Sequence, residues 1–286
     1  MKAALPPWLV LDPLLADWLR EDIGRGDHTT QGLSLSGTGK AQWLAKEPGI
    51  IAGLPLAARV FYLLDPQVSF VPSVTDGQSV VAGDVIAEIV GSLEALLIGE
   101  RVALNLGMRL SGIATLTRRY VEAIADYHAQ LVDTRKTTPG LRILEKYATQ
   151  VGGAVPHRLG LDDAVMIKDN HIAAAGGIAS AIAQLRGKIP YPLKVEVETT
   201  TLAEAEEAIA SGAEIIMLDN LNLREMKEAV TLIREKAATI QVEASGNITL
   251  ETIRAVAETG VDYISSSAPI TRSTWLDLSM RLTACS

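Results

Sequence analysis

Two short apolar runs end in residues able to hold an anion. Leu131-Val132 leads into Asp133-Thr134-Arg135-Lys136-Thr137-Thr138-Pro139-Gly140, and Ala164-Val165-Met166-Ile167 ends in Lys168-Asp169-Asn170-His171, with His157-Arg158 between them. Arginine offers a planar fork and lysine a compact point charge, so the set can grip a small acidic ligand from several directions. Taken alone, the octapeptide reads equally well as a solvated loop with two surface cations. Further apolar runs end in oxygen donors: Leu193–Val197 at Glu198, Glu214–Leu218 at Asp219, Ile240–Ala244 at Ser245-Gly246-Asn247, and Val261–Ile264 at Ser265-Ser266-Ser267-Ala268.

The elements that must position these residues are legible from periodicity. Segments 202–211, 223–237 and 250–259 carry helical apolar spacing, with Gly212 and Gly260 as stops. Strands alternating with helices describe βα units, whose parallel strands are joined by right-handed crossovers. About six such units predict an α/β fold built on an incomplete (β/α) barrel, short of the usual eight strands. A barrel gathers Arg135, Lys136, Lys168, Glu198, Asp219 and Ser245 at the C-terminal ends of its strands, where barrel active sites lie. An open doubly wound sheet is the alternative, but no G-x-G-x-x-G follows an early strand.

The first third lacks this rhythm. Residues 12–21 predict a helix ended by Gly24-Arg25-Gly26-Asp27, a turn with a helix cap, and strands are expected around 41–45, 50–52, 68–71 and 85–90. This is an N-terminal α+β module, with a boundary expected near residue 110. A long helical segment, 92–129, would connect the two parts and is expected to break near Ser111-Gly112. Arg101 lies in it and reads locally as a salt-bridge partner of a helical neighbour.

Composition narrows the function. The chain has 286 residues, 48% of them hydrophobic, and a net charge of -8. An acidic protein is a poor nonspecific binder of nucleic acid, so its local cations point to a focused small-anion site. One cysteine, Cys285, builds neither a disulfide framework nor a zinc quartet. Pro6-Pro7 interrupts any signal-like apolar core, and no run of about 18 apolar residues exists, so the expectation is a soluble, cytoplasmic protein without membrane or nucleic-acid partners.

Together the pieces form an ordered set: Glu100-Arg101-Val102-Ala103-Leu104-Asn105, Ser111-Gly112-Ile113-Ala114-Thr115, residues 133–140, Leu144-Glu145-Lys146-Tyr147-Ala148, Gly152-Gly153, His157-Arg158-Leu159-Gly160-Leu161 and Ile167-Lys168-Asp169-Asn170-His171. This set closely resembles the quinolinate phosphoribosyltransferase family over nearly the whole chain. The resemblance implies an N-terminal sandwich (1–110, with 273–286 packing back on it) and an incomplete barrel (111–272) with phosphate-binding loops. It implies Mg2+-dependent transfer of phosphoribosyl from phosphoribosyl pyrophosphate to quinolinate, with loss of CO2, on the route to NAD. It also implies a homodimer with shared active sites, and admits a hexamer.

By the same resemblance, Arg101 of a partner chain would join Thr134, Arg135, Lys136, His157, Arg158 and Lys168 against quinolinate and neighbouring anionic groups. Glu198 and Asp219 would face ribose hydroxyls and Mg2+, directly or through water, and with Lys136 and Lys168 would carry the catalysis. Ser245, Gly246, Asn247, Ser266, Ser267 and Ala268 would cradle the 5′-phosphate. Two positions depart from the pattern: Ser266-Ser267 stands where Val-Gly is expected, and Pro156 where Asn is expected before His157.

Three other classes stay open at this stage. A non-decarboxylating relative acting on nicotinate or a metal-pathway ligand would need fewer cations. A Schiff-base aldolase barrel would use an uncharged Lys168 against a carbonyl substrate, a reading that borohydride trapping would test. A non-catalytic phosphate-binding protein would bind anions without turnover.

Overall fold

The computed structural model describes residues 3–33 and 35–284. Cys285 therefore lies outside the described residues, as do Met1 and Lys2. Along the chain the elements begin with α1 (Trp8–Ile23), α2 (His28–Gly32), β1 (Thr38–Ala45), β2 (Gly49–Ile50), α3 (Leu54–Leu64), β3 (Ser69–Pro72), β4 (Ser79–Val80), β5 (Val85–Ser92) and α4 (Leu93–Ala123). They continue with β6 (Gln130–Val132), α5 (Arg142–Gly152), β7 (Val165–Ile167), α6 (Asp169–Ala175), α7 (Ile178–Leu185), β8 (Val195–Thr199), α8 (Leu202–Ala210), β9 (Ile215–Asp219) and α9 (Leu223–Ala237). The last are β10 (Gln241–Ser245), α10 (Ile253–Ala257), β11 (Tyr263–Ser265), α11 (Ala268–Thr271) and β12 (Leu278–Ala284).

Two compact units result. Residues through Arg118, Ile143–Gly152 and those from Arg272 onward form one; Arg119–Arg142 with Gly153–Thr271 form the other. The first unit holds an antiparallel sheet in the order β12-β1-β5-β3. β1 alternates in burial, turning Ala41, Trp43 and Ala45 into the core, the period expected of a strand with one covered face. Trp43 meets Phe70 edge-on at 5.8 Å, and Phe61 stacks on Phe70 at 6.2 Å. Asp27 caps α2, accepting from the amides of Thr29 and Thr30.

α4 corrects one expectation: it runs unbroken for 31 residues through Ser111-Gly112. Those residues answer packing demands instead. The Ser111 hydroxyl accepts from the Ala52 amide at 2.9 Å and donates to the Ala52 carbonyl at 3.2 Å. A Cβ on Gly112 would sit 1.9 Å from the Thr274 carbonyl oxygen. A hydroxyl and a missing side chain let backbone approach the helix, and the surrounding helix formers carry it through.

The second unit is a six-stranded parallel sheet in the order β6-β11-β10-β9-β8-β7. Its strands are short apolar runs, with Leu131, Ile167, Val197, Ile216, Val242 and Ile264 almost fully buried, as strands covered on both faces require. β6 and β7, the first and second strands in sequence, are the two edges, so the barrel is incomplete as expected; a bridge from Val132 to Val155 extends the sheet beyond β6. α10 is shorter than the predicted 250–259. The Thr252 hydroxyl accepts from the Thr249 amide at 2.9 Å, and this local bond replaces the first helical turn.

Candidate functional site

Strand order explains why one cavity collects distant residues. Parallel strands put all their C-terminal ends on one rim, and a cavity of about 530 Å³ opens there. Thr134, Arg135 and Lys136 reach it from the loop after β6, Lys168 from the end of β7, and Glu198, Asp219 and Ser245 from the ends of β8, β9 and β10. His157 and Arg158 line it from the loop that precedes β7, and Gly246 with Asn247 from the turn after β10.

The other candidate residues lie elsewhere. Ser265 lines the cavity, whereas Ser266, Ser267 and Ala268 are not among its lining residues. The buried Ser266 hydroxyl donates to the Ile248 carbonyl at 3.2 Å and accepts from the Ala268 amide at 3.3 Å, and the Ser267 carbonyl accepts the first bonds of α11. Arg101 is an exposed residue of α4 in the first unit.

The cations are held close with little internal compensation. Among the described residues, the Arg158 guanidinium donates to the Ala164 carbonyl at 3.2 Å and to the Met166 sulfur at 3.5 Å. Burial first, and the neighbouring Arg135 charge second, lower its pKa from the ordinary value. Arg135 keeps its Nε buried without a hydrogen-bond partner among the described residues. A buried donor and two like charges form an arrangement that an anion between them would satisfy.

Two carboxylates line the same cavity. Glu198 Oε2 pairs with Lys168 Nζ, and Asp219 Oδ2 accepts from the Asn220 amide group at 2.6 Å. Each is so engaged through one oxygen, leaving the other for a hard cation, and Mg2+ favours oxygen donors that leave room for substrate phosphates. The donor set therefore fits Mg2+.

The turns after β9 and β10 are unusual. Asn220 and Asn247 both adopt positive φ, 56° and 50°, and Asn247 donates to Asn220 Oδ1 at 3.3 Å. Gly246 has φ 100°, and a Cβ there would lie 2.2 Å from Asn220 Oδ1. Only a residue without a side chain lets Asn220 pack this closely against the turn after β10.

Beneath them lies a cluster that motif reading passed over. His157 Nε2 stands 3.3 Å from Glu196 and 3.5 Å from Glu243, both almost fully buried. Burial alone would lower the His157 pKa, but hydrogen bonds to these two acids outweigh it and push it up to about 10. Burial in turn raises Glu196 above the ordinary carboxylate range. The Arg158 amide approaches His157 Nδ1 at 2.7 Å, which favours a neutral ring. Charge-assisted bonds to two buried carboxylates outweigh one neutral contact imposed by chain adjacency, so the ring carries its charge. The signal for both acids was the strand period: Glu196 shares a face with Glu198 on β8, and Glu243 with Ser245 on β10.

An open parallel barrel whose strand ends combine clustered cations, two carboxylates and a Ser-Gly-Asn turn defines an anion-handling barrel enzyme. Residues 113–281 match the model of the quinolinate phosphoribosyl transferase C-terminal domain, and residues 27–111 that of the N-terminal domain. The chain is 63% identical over 278 residues to a probable nicotinate-nucleotide pyrophosphorylase (carboxylating) of Synechocystis sp., covering 97% of this chain and 94% of the relative. It is 40% identical to the human nicotinate-nucleotide pyrophosphorylase (carboxylating), covering 99% and 95%. The crystal structure of NadC from Streptococcus pyogenes superposes with a TM-score of 0.93 at 45% identity, covering 98% and 99% of the two chains. The chain belongs to the quinolinate phosphoribosyltransferase family, the carboxylating nicotinate-nucleotide pyrophosphorylases of NAD biosynthesis.

Proposed function

We propose that the cavity joins quinolinate to phosphoribosyl pyrophosphate with Mg2+ and releases pyrophosphate and CO2, leaving nicotinate mononucleotide. The observation that carries this reading is the pair of crowded guanidiniums, Arg135, whose buried Nε has no partner among the described residues, beside Arg158, in one cavity with the carboxylates Glu198 and Asp219. Quinolinate has two adjacent carboxylates, and two arginine forks with Lys136 and Lys168 suit a dianion. Thr134, whose hydroxyl accepts from the Lys136 amide at 3.0 Å, orients that cationic turn.

Glu198 and Asp219 would hold Mg2+, directly or through water, and orient the ribose hydroxyls. When bound, Mg2+ neutralises charge on the departing pyrophosphate. The pyridine nitrogen forms a bond to the anomeric carbon as the carbon–oxygen bond to pyrophosphate breaks. When the bond to the adjacent carboxylate breaks and CO2 departs, the electron pair stays on that ring carbon, stabilised by the positive pyridinium nitrogen beside it. A proton delivered to that ring carbon completes the reaction, and Lys136, Lys168 and solvent are its candidate sources. Ser245, Gly246 and Asn247 would receive the 5′-phosphate in a turn whose positive-φ backbone exposes amides, as nests do. The reading further includes a cytoplasmic homodimer in which Arg101 crosses to the partner's site.

Incubation with quinolinate, phosphoribosyl pyrophosphate and Mg2+ should yield nicotinate mononucleotide and CO2. Product from nicotinate alone would point to a non-decarboxylating transferase, and no product from either acid would refute the reading. Glu198→Gln and Asp219→Asn should lower kcat and raise the Mg2+ requirement with little change in Tm; a collapse of Tm would mark them as structural.

A further inference from the structure

We propose that Asn220 is a positioning residue that ties the Asp219 carboxylate to the phosphate-receiving turn after β10, so that one sugar phosphate can engage both at once. The inference deepens the proposed function and rests on it. Register sets up the contact. On neighbouring parallel strands Asp219 of β9 pairs with Ser245 of β10, so Asn220 and Gly246 leave the sheet side by side. The Asn220 backbone amide donates to the Ser245 carbonyl at 3.0 Å and carries the pairing one residue past the end of β9. Asp219, Asn220, Ser245, Gly246 and Asn247 all line the cavity.

From that point the Asn220 side chain reaches both ways. Its Nδ2 donates to Asp219 Oδ2 at 2.6 Å, and its Oδ1 accepts from Asn247 Nδ2 at 3.3 Å. An ionised carboxylate only accepts, so Asp219 dictates which end of the Asn220 amide faces it, and the carbonyl end is left for Asn247. One planar amide thus joins the carboxylate to the turn. The backbone agrees with this role. Asn220 and Asn247 hold φ of 56° and 50°, a region that asparagine tolerates better than most side chains, and Gly246 between β10 and Asn247 has no room for a Cβ against Asn220.

What Asn220 adds is mutual placement. Phosphoribosyl pyrophosphate offers a 5′-phosphate to the turn and ribose hydroxyls to Asp219 through one ring, so groups already held at the right separation bind it without a further ordering cost. Loss of the link should weaken ligands that bridge both groups and spare ligands that touch one. Asn220→Gly deletes the side chain at a φ that glycine takes freely, so Tm should change little. In calorimetry without Mg2+, ribose 5-phosphate should bind this variant about tenfold more weakly, the scale of one bond to a charged group. Inorganic phosphate, which needs the turn alone, should bind nearly as before. In turnover, the KM for phosphoribosyl pyrophosphate should rise while the KM for quinolinate stays.

Asp219→Ala should also weaken ribose 5-phosphate binding, and adding Asn220→Gly to it should bring no further loss, because the amide then has no carboxylate to hold. Additive losses would make Asn220 a direct ligand, and equal losses for the two probes would confine it to the turn. Either result overturns the proposal, as does wild-type affinity in Asn220→Gly or a wild type that binds ribose 5-phosphate no better than phosphate. Should Asn220→Gly lower Tm as well, NMR of the ligand-free protein decides the matter: the Asn220 side-chain amide protons should exchange with water more slowly in wild type than in Asp219→Ala, and equal exchange would overturn the proposal. Wild-type turnover is measured first; failure to form nicotinate mononucleotide there sinks the proposed reaction, whereas amide exchange tests the Asn220 link without any substrate.

Discussion

Arg158 and His157 are adjacent in sequence and differ in what surrounds their charge. Arg158 is crowded by Arg135 and has weak protein partners, which leaves its fork for an anion. Arg158→Ala should therefore weaken quinolinate binding by about 1.5–3 kcal/mol while phosphoribosyl pyrophosphate binding falls much less; titration calorimetry with each ligand separates the two, and equal losses would mean the assignment is misplaced. His157 has its partners built in, and its effect should appear in stability. Its pKa is about 10 in the folded protein against an ordinary 6.5, so the stability it contributes is fully present below about pH 6.5 and lost as pH rises through about 10. The urea midpoint of the wild type should fall across that window, and the part of the fall due to this ring should vanish in His157→Gln.

Among the elements, two glycines separate packing from site shape. Gly112 lets the Thr274 carbonyl touch α4, and a methyl group there would overlap backbone that cannot swing aside. Gly112→Ala should cost about 1–3 kcal/mol, read as a lowered urea midpoint. Gly246 holds a positive φ and stands against Asn220, in the turn proposed to receive phosphate. Gly246→Ala should raise the KM for phosphoribosyl pyrophosphate by a larger factor than it disturbs Tm, since the strain falls on a rim turn and not on the barrel core. A loss of Tm with unchanged KM would reverse that assignment.

For the whole molecule, the proposed homodimer makes a prediction that no single chain can. If Arg101 serves the partner's cavity, an isologous pair contains two composite sites, each needing one Arg101 and one intact barrel. Arg101→Ala and Lys136→Ala would each be inactive alone. Mixed with free subunit exchange, about half the dimers are mixed and one of their two sites is whole, so roughly a quarter of wild-type activity per site should return. Mixtures as inactive as their parents, with exchange demonstrated separately, would place Arg101 in its own chain's site.

Local physics made much of this legible before any fold was known. Short apolar runs with polar ends and helices with glycine stops are written in neighbouring residues, so about six parallel strands and the polar ends of β6 to β10 followed from sequence. The ordered motifs named the family, because so many spaced residues rarely coincide. Continuity of α4 was not legible, since Ser111-Gly112 reads as a break until Ala52 and Thr274 are seen against it. Nor was the buried cluster around His157: Glu196 and Glu243 look like further strand-end acids in the chain, 47 positions apart by their numbering. Only parallel register, with Glu196 beside Ile215 on β9 and Glu243 beside Met217, brings both to one histidine. Charge state is decided by that three-dimensional company, because the energy of a buried ion depends on burial and on neighbours that arrive from other strands.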